Sequence, residues 1–142
     1  MGLKVAAGAV LVGAPARGYS VPITMTDPVY KIMTEADFVA AMREGRFHGS
    51  ADDLRDGFLH LSGAQQVAGT LAAHFAGQAD LVLLALDAAR LGGDLKWEES
   101  RGGALFPHLY APLDLTAMLW AEPLPLDAEG RHILPEAVEI AA

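Results

Sequence analysis

The sequence predicts one α+β domain: a compact split sheet, mixed or antiparallel, flanked by helices. Three observations predict it. Strand-like runs outnumber helical ones, and the two clear helical stretches both fall in the first half of the chain. Leu81 to Leu86 is an unbroken apolar run, as expected of a strand buried on both faces at the centre of a sheet. The length, 142 residues, suggests a single domain, and 52% hydrophobic against 20% charged residues is enough apolar material for one core.

The first 24 residues stand apart. They contain no Asp or Glu and are rich in Gly, Ala and Val. Lys4 followed by Val5 to Ala16 has the outline of a short signal peptide, with Ala14-Pro15-Ala16 a poor cleavage site. The preferred reading is plainer: residues 1–24 are a flexible tail, or an extension from a start codon assigned too early, and 25–142 is the domain, with Met25 a plausible true start. Removing this tail, which holds Lys4 and Arg17, changes the formal charge from −8 to −10.

Val29 to Met33 is a β-rich run and the expected first strand. Thr34 to Asp37 matches a capping box, with Met33 and Phe38 at the staple positions. A helix over 35–44 follows, with Phe38, Val39 and Met42 as its core face and Gly45 as its stop. Arg46 to Arg55 reads as a polar loop with a helical turn at Ala51 to Leu54; His48 within it is expected to be solvated. Phe58 to Leu61 is the next strand. Alternation places Phe58, His60 and then Ser62 on one face, at a strand end where a parallel or mixed sheet presents its site.

Ser62 to Gln65 is a second capping box, so Ser62 has a structural job as an N-cap, worth about 1 kcal/mol. The helix after it is expected to bury Ala64, Val67, Ala68, Leu71 and Phe75, with His74 at its boundary. Beyond the central strand, Ala88 to Leu91 is a helical turn. Leu95 to Glu98 is a strand, with Leu95 and Trp97 on one face. Arg101-Gly102-Gly103 is a flexible cationic loop. Pro107 makes Phe106 to Tyr110 an edge strand or extended loop, with Phe106, His108 and Tyr110 on a common side. Leu113 to Leu124 reads as one strand, Asp127 to Gly130 as a turn, and Ile133-Leu134-Pro135 closes the domain.

Composition narrows function. A net charge of −8 without a basic stripe argues against a nucleic-acid partner and against adsorption to anionic membrane. The absence of cysteine removes disulfides, thiolate metal sites and a cysteine nucleophile, and fits the cytoplasm. No apolar run reaches the roughly 18 residues of a spanning helix. Dinucleotide, P-loop, zinc-protease and serine-hydrolase signatures are missing, and no two of the five histidines are spaced as a ligand pair, so no metal is expected. His60 and Ser62, two apart on a strand, point in parallel and do not make a base–nucleophile couple. What remains is a set of polar residues within or beside apolar strands: His60, Ser62, Glu98, His108 and Tyr110, with Arg101 nearby. They are either satisfied core groups, the histidines bonded to backbone and to Glu98, or parts of a ligand site.

The blocks Asp56-Gly57-Phe58-Leu59-His60-Leu61-Ser62, Gln66-Val67, Leu95-Lys96-Trp97-Glu98 and Phe106-Pro107-His108-Leu109-Tyr110 together resemble the bacterial domain-of-unknown-function family 952. The resemblance runs from about Val29 to Pro135. Gly63 and Ala111 stand where the family often has Thr and Gly. It implies a fold similar to the ADP-ribosyltransferases, whose split α+β sheet binds NAD in a cleft. By that resemblance His60 and Glu98 are the expected catalytic residues, with His60 contacting the nicotinamide ribose and Glu98 stabilising an oxocarbenium-like sugar. Ser62, Arg101, His108 and Tyr110 are the expected substrate-binding residues. NAD is the implied cofactor and a small molecule the implied partner. The alternative is a non-catalytic nucleotide- or metabolite-binding domain on the same fold.

Overall fold

The computed structural model describes residues 27–141; the expectations for the 1–24 tail and for a start at Met25 lie outside them. Strand β1 (Val29–Thr34) leads into helix α1 (Glu35–Glu44). Thr34 caps that helix, its hydroxyl accepting from the Asp37 amide, and Gly45 closes it in the left-handed region with φ 85°. A short strand β2 (Arg46–Phe47) and helix α2 (Ala51–Asp56) follow, then β3 (Leu59–His60). A 3-10 turn (Ala64–Gln66) opens helix α3 (Val67–His74). Next come β4 (Leu81–Leu86), helix α4 (Ala88–Leu91), β5 (Leu95–Glu99), β6 (Leu105–Leu109) and β7 (Leu113–Asp114). Strand β8 (Met118–Pro123) and helix α5 (Glu136–Ala141) complete the order.

Among the described residues every strand pairing is antiparallel. The first sheet has the order β1-β4-β8, the second β3-β6-β5, and β2 pairs with β7 in a two-stranded ribbon. The expected split sheet is therefore present in antiparallel form. His60 is the last residue of β3, as expected, but its sheet is antiparallel rather than parallel or mixed, and it is paired across the ladder with His108. The two three-stranded sheets are joined where Tyr30 and Ser62 exchange backbone hydrogen bonds of 2.7 and 2.9 Å.

The all-apolar β4 occupies the middle of its sheet, as predicted. Val82, Leu84 and Leu86 face a core shared with Leu59, Leu109 and Leu113 of the other sheets and with Leu61 just past β3. Leu81, Leu83 and Ala85 face the opposite core, which Val67 and Leu71 of α3 and Val138 of α5 cover. Two-sided burial is what makes an alternating pattern unnecessary in this strand.

Several elements depart from expectation. Phe106 to Tyr110 is not an edge: β6 is the central strand of its sheet. Pro107 is tolerated because β3 ends beside it. Its carbonyl accepts the Leu61 amide at 3.0 Å, and the bond that its missing N–H would return falls past the end of the ladder. Leu113 to Leu124 is broken by a 3-10 turn (Leu115–Ala117) that Asp114 caps, so Leu115 and Ala117 are buried but Leu119 turns outward. The chain does not close at Pro135, since α5 follows and inserts Val138 into the core. On α1 the buried residue is Ala41, with Phe38 partly buried, while Val39 and Met42 are exposed; the helix lies on the domain by a narrower face than its apolar residues suggested. On α3, Ala68 is likewise exposed. Ser62 is not a cap. The chain enters the helix one residue later, and Gln66 accepts from the Gly63 amide instead.

Candidate functional site

The helix α2 exists because Ser50 and Asp53 form a reciprocal capping box. Gly57, at φ 87°, then ends it and directs the chain into Phe58 and β3. That hairpin-like return places Asp53 and Asp56, one helical turn apart, against the His60 ring. Nδ1 of His60 lies 2.6 Å from Asp53 Oδ1, and Nε2 lies 2.9 Å from Asp56 Oδ2. Asp53 is 2% exposed and also accepts the His60 amide, the Ser50 amide and the ammonium of Lys31 at 2.8 Å. Lys31, 4% exposed, donates a second bond to the His60 carbonyl. Burial opposes ionisation of Asp53, but the hydrogen bond from His60 and the charge and hydrogen bond of Lys31 outweigh it. The carboxyl is held well below the usual range. Burial pulls the Lys31 ammonium down, against the attraction of Asp53.

A second histidine–carboxylate pair lies across the ladder. His108, 4% exposed, has Nδ1 2.8 Å from Glu98 Oε1, and the Tyr110 hydroxyl donates to the same oxygen at 2.7 Å. These bonds, His108 first, lower the Glu98 pKa, and Glu98 in turn raises that of Tyr110. The Glu98 side chain remains 39% exposed, so an ionised carboxylate with one fixed oxygen faces solvent. Phe58 unites the two pairs. Its ring stacks on His108 at 4.0 Å and contacts His60 at 4.7 Å and Tyr110 at 5.3 Å, while the two histidine rings meet edge-on at 5.9 Å.

The structure thus gathers His60, Glu98, His108 and Tyr110 into one cluster. His60 pairs with Asp53 and Asp56 rather than with Glu98. Ser62 does not join it: buried at 2% exposure, its hydroxyl shares a 3.0 Å bond with Thr70 of α3. Arg101 opens the turn Arg101–Gly103 between β5 and β6, and its side chain lies outside the described part. His48 is exposed and bonded to Glu44, and His74 is exposed on α3. A cavity of about 320 Å³ beside Leu109 is lined instead by Arg90, Asp94 and Asp114, and no ring of the cluster borders it.

Lys31, Asp53, Asp56 and the role of Phe58 were not singled out from the sequence. One signal was available for Lys31. In Val29-Tyr30-Lys31-Ile32-Met33 the lysine shares the parity of Val29 and Met33, so it points into the core and needs a buried counter-charge. For Asp53 the signal was Ser50 followed three residues later by an acid.

Among the described residues no cluster of three or more His, Asp or Glu is arranged to hold a metal ion, and no helix is long and apolar enough to cross a membrane. The family described as "protein of unknown function (DUF952)" matches residues 32–121, and the chain belongs to that family. It is similar to protein CC0527 from Caulobacter crescentus. The X-ray structure of that protein is 52% identical, with a TM-score of 0.75 over 79% of this chain and 98% of that one. Its solution NMR structure is 55% identical, with a TM-score of 0.67 over 73% and 90% of the two chains. None of the curated proteins matches.

Proposed function

We propose that the cluster of His60, Glu98, His108 and Tyr110 is the site of an NAD-linked, ADP-ribosyltransferase-like protein. The observation that carries this reading is Glu98: an ionised, partly exposed carboxylate whose Oε1 is fixed by both His108 and Tyr110. Loss of nicotinamide breaks the C1′–N bond, the electron pair leaves with the ring, and positive charge develops on the ribose. A carboxylate fixed before the reaction stabilises that charge without reorganising. The exposed Tyr110 ring, 5.3 Å from Phe58, supports the same reading as a surface for a planar ring. The division of the strands into separate antiparallel sheets is the support for the same reading at the level of fold.

The test is NAD cleavage by the full chain and by Glu98→Gln. Turnover is expected to fall by about 100-fold or more, with NAD binding retained. Unchanged turnover in the variant rejects the role of Glu98.

One observation favours the second reading, a non-catalytic nucleotide- or metabolite-binding domain. Both ring nitrogens of His60 already face carboxylates, so a ligand would have to displace Asp56 to reach Nε2. NAD recovered intact after long incubation, with binding demonstrated, selects this reading over the first.

A further inference from the structure

We propose that Lys31 and Asp53 are a buried positioning couple that fixes the His60 ring, holding its Nδ1 proton inward and presenting Nε2 at the surface. The geometry leaves Asp53 only one part to play. Its three other hydrogen-bonded neighbours can only donate: the Lys31 ammonium and the Ser50 amide at Oδ2 and the His60 amide at Oδ1, the oxygen that also faces ring Nδ1 at 2.6 Å. A carboxylate surrounded in this way accepts and does not donate, so Nδ1 carries the hydrogen and Nε2 is the nitrogen that exchanges partners. That outer nitrogen meets Asp56, whose carboxylate is also held by the exposed Arg55.

A buried ion pair is a poor device for stability alone, because desolvation of both charges offsets their attraction. Here it also grips the backbone at His60 from two sides, through the Asp53 bond to the amide and the Lys31 bond to the carbonyl. Gly49 makes the arrangement possible. At φ 131° it passes so close to Asp53 that a Cβ there would lie 3.0 Å from the Asp53 Cβ. The couple therefore sets both the position of His60 and the identity of its outward nitrogen, as carboxylates behind histidines do in other polar sites. This deepens the proposed use of His60, but its test does not depend on NAD.

The experiment is ¹⁵N NMR of the histidine rings in the full chain and in Lys31→Met/Asp53→Leu, which replaces the ion pair by apolar groups. The parent protein is expected to show a protected Nδ1–H signal for His60. The double variant is expected to lose it, while the Nδ1–H signal of His108, held by Glu98, persists as an internal control for folding. A His60 ring with a bare Nδ1 in the parent protein overturns the proposal without any variant. So does an unchanged His60 Nδ1–H signal in the double variant. Failure to bind NAD would leave these outcomes as they are and would count only against the proposed ligand.

Discussion

Asp53 carries more of the structure than its surroundings in the sequence suggest. It ends up as the acceptor for a cap, a lysine and both the amide and the ring of His60. Its acidity makes a prediction with a definite sign. The folded pKa lies below the unfolded value of about 3.9. Its contribution is therefore complete above that pH and is lost as pH falls toward the folded value, because the unfolded chain binds the proton first. Urea midpoints measured from pH 7 down to pH 2 should fall below about pH 4, and less steeply in Lys31→Met/Asp53→Leu. Equal slopes would mean that Asp53 is not the linked group. At this scale the sequence showed the polar residues within or beside apolar strands, and His60, Glu98, His108 and Tyr110 join one cluster. It did not show their partners. Lys31 and Asp53 are 22 residues apart, and only the register of β1 against the α2–β3 return brings them together.

Among the elements, α2 and its return into β3 decide whether the cluster exists. Gly49 cannot be replaced without strain, since its φ is 131° and both Asp53 and Leu59 stand within 3.2 Å of an added Cβ. Gly49→Ala should cost about 1–3 kcal/mol in thermal or urea unfolding and should also broaden the His60 ring signals. Thr34→Ala, which removes a cap far from the cluster, should cost about 1 kcal/mol and leave those signals unchanged. If both variants disturb His60 equally, α2 does not have the local role assigned to it. The first helix was legible because a capping residue and a glycine stop are local signals: α1 has the expected bounds. The strands after Gly103 were less legible. Pro107 argues for an edge on local grounds, yet it lies in a central strand because β3 is only two residues long and ends where the proline needs it to. The break at Leu115–Ala117 hides in a continuous apolar alternation and is set by the Asp114 cap.

The whole molecule is organised about β4, whose two faces belong to two different cores. Leu84, fully buried toward the second sheet, is the most direct probe of this arrangement. Leu84→Ala should cost about 2–5 kcal/mol, and a loss under 1 kcal/mol would contradict a shared core. The opposite face depends on α5, which the sequence reading stopped short of. Among its described side chains only Val138 is fully buried, too weak a periodic signal to announce a helix. The first of these cores, through Leu59 and Leu109, holds the β3-β6-β5 sheet in place, and that sheet carries the rings of both histidines.

The central claim is that this shared surface receives NAD. The measurement that tests it most directly is a titration of the full chain with NAD, followed by the ring signals of His60 and His108 in NMR. The account predicts that both rings shift together and saturate along one binding curve, with smaller responses to nicotinamide or ADP-ribose alone. Ring signals that stay fixed up to millimolar NAD would contradict it.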